Sequence, residues 1–203
     1  MDRYIELIKQ IINNLPHGSA FVVSDFTNIC DYQTAKRTLA RFVDSGDIRR
    51  VIRGVYDKPS YSNLLKEYVA PDPNQVAMAI ARNFNWTIVP AGNAALNLLG
   101  LSTQVPARWE FSSSGPYRNY EVGNITLCFK HSSNKEIEGL SYDTALLVQA
   151  IKALGKENIT DDAIIRLRNR TDCLDKDVVL QEARYTTSWI FAVIKKICEK
   201  DME

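Results

Sequence analysis

Residues 31–57, DYQTAKRTLARFVDSGDIRRVIRGVYD, constrain the chain more than any other stretch, because an amphipathic basic helix runs there directly into a short arginine-rich ribbon. Ala35, Leu39, Phe42 and Val43 recur at i, i+4, i+7 and i+8, which draws one apolar stripe along a helix. Asp31 precedes the stripe as a capping residue and Gly46 closes it. The other side carries Gln33, Thr34, Lys36, Arg37 and Arg41, whose amide, hydroxyl and cationic groups bond base edges in a major groove or neutralise phosphates. After Gly46, Ile48, Val51, Val55 and Tyr56 can pack back on the helix. Arg49, Arg50 and Arg53 are expected to project from a two-strand ribbon with its tip at Arg53-Gly54, where glycine permits a positive φ.

The preceding residues set this unit in a larger pattern. Ile5, Ile8, Ile12 and Leu15, reinforced by Tyr4 and Ile11, predict a helix over residues 2–15 that Pro16 stops. Ala20 to Val22 can form a short strand, and Ser24 is placed to cap a brief helix holding Phe26 and Ile29. The order helix, strand, helix, turn, helix, ribbon is that of a winged helix-turn-helix, whose second paired helix lies in the major groove. Such modules also serve as protein-binding or dimerisation units, so the fold alone leaves function open. Polar groups and arginines on the solvent side of both helix and ribbon favour double-stranded DNA; a solvated charged face is the plainer reading.

Global charge does not announce a nucleic-acid binder, since 25 Lys+Arg meet 24 Asp+Glu. Its distribution does. Residues 32–58 hold seven basic and three acidic side chains, a local excess of four, whereas residues 134–203 hold eleven basic against thirteen acidic. With 45% hydrophobic and 24% charged residues, the chain can build a sizeable core and is not a disordered one.

At 203 residues a small domain joined to a medium one is expected. The fold class is α+β: a winged helix-turn-helix over 1–59, a proline-bearing linker over 60–73 and an α+β domain over 74–203. Within the linker Tyr61 to Tyr68 can form a short helix. The second domain is expected to open on a helix with Val76, Ala77, Ile80 and Ala81 on its apolar face, followed by a strand over Trp86 to Val89. Asn93 would cap a helix over Ala94 to Leu99, closed by Gly100. A small antiparallel sheet would follow, from Ala107 to Phe111, Tyr117 to Val122 and Ile125 to Phe129, with Ile125, Leu127 and Phe129 alternating with Thr126, Cys128 and Lys130. The C-terminal region reads as helical: Tyr142 to Leu154 after Ser141, Asp161 to Arg170 after Thr160, and Lys176 to Lys200 with a break near Thr186-Thr187.

An enzyme would need reactive groups that the pattern does not supply. His17 and His131 stand far apart and beside no catalytic motif, and no GxxxxGK[ST], GxGxxG or HExxH occurs. Asp161-Asp162 reads as a helix start rather than a metal pair, and Asp172, Asp175 and Asp177 lack the glycine and closing glutamate of a calcium loop. The cysteines, Cys30, Cys128, Cys173 and Cys198, have no CxxC spacing and are expected to be reduced and mostly buried. Trp86, Trp109, Phe111, Tyr117 and Tyr120 could stack on bases, but strand aromatics are more commonly core. The expectation is therefore no catalytic residue, no metal and no cofactor. No signal-peptide core or membrane-length apolar run is visible, and a cytoplasmic location is expected by default.

PHGSAFVVSDF, the helix of residues 31–45, GDIRRVIRGVYDKP, and IVPAGNAALNLLGLSTQVP with its following strands together resemble the AbiEi-like antitoxins of bacterial abortive-infection systems. The resemblance covers about residues 1–135, and its most specific parts are Arg50, Arg53, Gly54 and Tyr56 of the ribbon and the segment from Ala91 to Leu101. It implies a type IV toxin-antitoxin protein of phage defence: a winged helix-turn-helix transcriptional autorepressor acting at inverted repeats in its own promoter. The C-terminal domain would counter a nucleotidyltransferase-like toxin without a stable complex. Carried over, Gln33, Thr34, Lys36, Arg37 and Arg41 face the groove and Arg49, Arg50 and Arg53 are wing contacts. The acidic balance of residues 134–203 argues against DNA contact there. A winged-helix interaction module without DNA binding is the competing expectation, and a nucleotidyltransferase activity of the chain itself lacks a Gly-Ser and paired-Asp motif.

Overall fold

A computed structural model describes residues 2–132 and 139–199. Its architecture is α+β, and the chain divides into two compact units, residues 1–86 and 87–203.

In the first unit, α1 (Asp2–Asn14) buries Ile8 and Ile12. β1 (Ala20–Val22), β2 (Arg49–Ile52) and β3 (Val55–Asp57) form an antiparallel sheet in the order β1-β3-β2. Central β3 is buried along its length, as a strand flanked on both sides should be. The brief helix expected after Ser24 is a single 3-10 turn, Val23–Phe26. Asp25 accepts a hydrogen bond from Val22 N–H at 3.0 Å, so the local side-chain bond that closes the turn comes from Asp25 and not from Ser24. α2 (Tyr32–Asp44) follows, and its Ala35, Leu39 and Phe42 join Ile8, Ile12, Phe21, Val23, Phe26, Ile48 and Tyr56 in one core.

Residues 61–68, expected as a short helix, instead form a hairpin of β4 (Tyr61–Ser62) and β5 (Glu67–Tyr68). Tyr61 and Tyr68 meet edge to face with ring centroids 5.4 Å apart, a cross-strand contact that a helix would not create. The expected linker is therefore structured over much of its length. α3 (Pro73–Phe84) starts with Asp72 as its cap and proline at its first position. Its predicted apolar face is buried, but it packs on β1 and β3, and Arg82 pairs with Asp25 at 3.1 Å. The helix expected to open the second domain thus completes the first, and the division falls after Trp86 instead of before Asn74.

In the second unit, β6 (Ile88–Ala91) begins later than expected, because Trp86 stacks on Phe84 at 4.8 Å. α4 (Asn93–Leu98) is preceded by Gly92 as N-cap; Asn93 is already its first residue. β7 (Arg108–Ser113), β8 (Arg118–Val122) and β9 (Ile125–His131) complete a sheet of order β6-β7-β9-β8. The β6–β7 and β8–β9 pairs are antiparallel, whereas β7 and β9 run parallel, so the sheet is mixed rather than antiparallel. β9 is consequently a central strand. Leu127, Cys128 and Phe129 are all buried, which overrides the alternation expected of a half-buried strand.

Four helices follow: α5 (Tyr142–Leu154), α6 (Asp161–Arg170), α7 (Lys176–Ala183) and α8 (Ser188–Cys198). Ser141 caps α5 and Thr160 caps α6, as their positions predict, and the break falls at Thr186-Thr187. Every residue from Thr144 to Ile151 is buried, because α5 meets β6 and α4 on one side and α7 and α8 on another. No described helix is long and apolar enough to cross a membrane.

Candidate nucleic-acid interface

The exposed face of α2 is set by its cap and its core stripe. The Asp31 carboxylate accepts hydrogen bonds from Gln33 N–H at 3.0 Å and Thr34 N–H at 3.1 Å, which fixes where the helix begins. The Thr34 hydroxyl donates to the same carboxylate at 2.6 Å. These bonds, the Thr34 hydroxyl's first, hold the Asp31 carboxyl below its ordinary range. Thr34 is half-buried and serves the cap, so its expected groove-facing role is reduced to its remaining acceptor capacity.

With Ala35, Thr38, Leu39 and Phe42 buried, the helical rotation of about 100° per residue turns Gln33, Lys36, Arg37, Ala40, Arg41 and Asp44 to solvent. Four of the five predicted helix residues, Gln33, Lys36, Arg37 and Arg41, are exposed there. Ala40 lies near the centre of this face, flanked by longer polar residues. A small side chain there lets the backbone approach a partner closely. Composition-led reading overlooked it, although the angular position was available from the spacing. Asp44, the one acid on the face, sits in the last turn and would repel phosphate. The cationic character is therefore concentrated in the first three turns.

The ribbon divides the three predicted arginines. Gly54 takes φ +85° at its tip, and Arg50 and Arg53 are exposed. Arg49 is not available as a wing contact. Its guanidinium grips the Asp57 carboxylate, with Nε to Oδ1 at 3.0 Å, and donates to the Val69 carbonyl through Nη1 at 3.1 Å. Asp57 is 1% exposed on the central strand, and an unpaired charge there would be costly. Arg49 and Asp57 face each other in register across β2 and β3, a cross-strand pairing that local sequence did not single out. Lys58 is likewise committed, donating to the carbonyls of Asn13 and Leu15 at 2.7 and 2.8 Å and so capping α1.

His17, His131, Asp162 and Asp175 have structural partners. His17 Nδ1 lies 3.0 Å from the Pro59 carbonyl and His131 Nδ1 lies 3.1 Å from that of Gly115. Asp175 caps α7, while Asp162 pairs with Arg166 one turn on at 2.9 Å. Trp109 and Phe111 are buried, and Phe111 stacks on Phe129 at 5.5 Å; Tyr117 is exposed. All four cysteines are free thiols, but only Cys128 is buried, and Cys173 is exposed, contrary to expectation.

A family model described as "Family of unknown function (DUF6088)" matches residues 7–177. The chain belongs to the DUF6088 family. No curated protein matches it. Among solved structures, the DUF6088 chain is similar to the RV2827C protein from Mycobacterium tuberculosis at 11% identity and a TM-score of 0.41, over 97% of this chain and 76% of that one.

Proposed function

We propose that the first unit is a winged helix-turn-helix that binds double-stranded DNA, with α2 in the major groove and the β2–β3 ribbon as wing. The observation that carries the reading is the exposure of Lys36, Arg37 and Arg41 on one face of α2 together with Arg50 and Arg53 on the ribbon. In this reading the helix before the turn is reduced to the 3-10 turn at Val23–Phe26. Gln33 and Arg37 offer the groups that read base edges, Ala40 admits the helix to the groove, and Arg50 and Arg53 neutralise backbone phosphates. Arg49 and Thr34 organise the elements that present them.

The resemblance to AbiEi-like antitoxins supports a more specific role: a cytoplasmic autorepressor at inverted repeats in its own promoter, and the antagonist of a nucleotidyltransferase-like toxin. It carries no reaction of its own in this reading.

The test is a fluorescence anisotropy titration of the full chain with its own upstream DNA and a scrambled duplex at two salt concentrations. Lys36, Arg41, Arg50 and Arg53 on phosphates imply a log–log salt slope of about −3.6, or a loss of affinity of about 150-fold between about 50 and 200 mM salt. Preference for the upstream duplex with such a slope is the expected result. Absence of binding to either duplex would leave the winged helix as a protein-interaction module. Rescue of growth on co-expression with the neighbouring toxin gene tests the antitoxin role separately.

A further inference from the structure

The hairpin of residues 61–69 exposes an apolar surface that the charged face does not use. Leu64 is 91% exposed and Leu65 64%, at the tip; Tyr61, Tyr68 and Val69 are exposed along its strands. Five large apolar side chains within nine residues amount to roughly 500 Å² of apolar surface, the size of the largest patch on a typical monomer, and such patches often serve a function. The hairpin is held in place: Arg49 bonds the Val69 carbonyl, Val69 N–H bonds the Ser60 carbonyl at 2.8 Å, and Tyr61 packs on Tyr68. Among the described residues β4 and β5 pair only with each other, so each has an open backbone edge.

Charge separates the possible occupants. Residues 59–71 hold one base, Lys66, and one acid, Glu67, whereas residues 32–58 carry an excess of four positive charges. A neutral patch has nothing to offer phosphates of DNA or of an anionic membrane. It is, however, complementary to itself. A two-fold axis through the tip sets Lys66 against Glu67 of a second copy and doubles the covered surface to about 1,000 Å², the lower bound of a specific interface.

We infer that the 61–69 hairpin is a homodimer contact, the apolar tips of two copies packing on each other with Lys66 and Glu67 paired across the axis. The contact stands apart from the DNA reading and forms without DNA. Analytical ultracentrifugation of the full chain at about 1–100 μM should show a concentration-dependent dimer. Leu64→Asp/Leu65→Asp should raise its dissociation constant at least about a hundredfold, because a symmetric contact loses each leucine twice. These side chains are exposed, so an unchanged thermal melt is expected.

Lys66→Glu alone should weaken the dimer about tenfold by placing four acids together, and Lys66→Glu/Glu67→Lys should restore it. A monomer throughout, or a dimer indifferent to both leucines, overturns the inference. So does a double variant that loses DNA affinity or vesicle binding with no change in mass, since the tip would then serve those partners. Weaker DNA binding by Arg53→Ala with the dimer intact, and loss of the dimer in the leucine variant with binding to scrambled duplex retained, report on each reading separately.

Discussion

Replacing Arg49 separates a structural arginine from its neighbours on the same ribbon. Arg49→Ala removes both hydrogen bonds to Asp57 and both bonds to the Val69 carbonyl, leaving a carboxylate that is 1% exposed without its cation. Removing one partner of a buried pair costs about 3–5 kcal/mol; because the Arg49 side chain is 32% exposed, solvent screening brings the expectation to about 2–3 kcal/mol. That is a large share of a typical domain's 5–15 kcal/mol. Urea denaturation followed by circular dichroism, on the wild type, Arg49→Ala, Asp57→Ala and the double variant, gives the coupling directly. The double variant should cost less than the sum of the singles, since no charge is stranded in it. Arg49→Ala within about 0.5 kcal/mol of wild type, accompanied by the DNA defect of an exposed wing arginine, would refute the latch and reinstate Arg49 as a wing contact.

Arg53→Ala, at the exposed tip, should leave stability unchanged, weaken binding to upstream and scrambled duplexes alike, and reduce the salt slope by about one, as read by anisotropy. Gln33→Ala should instead change preference among duplexes, with little effect on that slope. In the second unit, burial raises the pKa of Glu182, but hydrogen bonds from Thr144, from the Ser141 hydroxyl and from Ser141 N–H outweigh it, so the carboxyl stays below its ordinary range. A depressed carboxylate stabilises the fold above its unfolded pKa of about 4.5 and ceases to do so as pH falls through the folded value. Urea midpoints should therefore drop between about pH 5 and pH 3 by less in Glu182→Gln than in wild type. Gly100→Ala should destabilise by about 1–2 kcal/mol in thermal melts, since φ is +69°. Arg170, whose Nη2 would lie 2.8 Å from the new methyl, is a flexible side chain that can shift, so adding Arg170→Ala should not restore the loss.

Local chemistry made some elements legible and long-range pairing hid others. The caps at Asp31, Ser141 and Thr160 are one-residue signals satisfied within the next turn, and α2, α5 and α6 start where those residues place them. Residues 61–68 misled because Tyr61, Leu64, Leu65 and Tyr68 have the spacing of a helical stripe, yet no core is there to receive it; four of the four are exposed. The parallel pairing of β7 with β9 depends on which strand of the β8–β9 hairpin lies against β7, and no residue spacing encodes that choice. The prolines at 59, 71 and 73 bracketed a supposed linker, but Pro73 is the first residue of α3, a position where its missing N–H costs nothing.

The candidate site divides along the same line. Exposure of Gln33, Lys36, Arg37 and Arg41 follows from burying Ala35, Leu39 and Phe42, and helical geometry alone supplies that inference. In the ribbon, Arg49, Arg50 and Arg53 are chemically identical, and what distinguishes them is the partner across the sheet. Arg49 pairs in register with Asp57 on buried β3, whereas Arg50 is opposite Tyr56 and Arg53 lies in the turn. An arginine-rich ribbon therefore cannot be converted residue by residue into phosphate contacts. A buried acid on the neighbouring strand takes one arginine out of the charge offered to a partner, and its own charge with it. The local excess of four is unchanged by that removal, so the field that would attract DNA is carried by the α2 cations with Arg50 and Arg53, while Arg49 holds the β2–β3 ribbon and the 61–69 hairpin to the same strand.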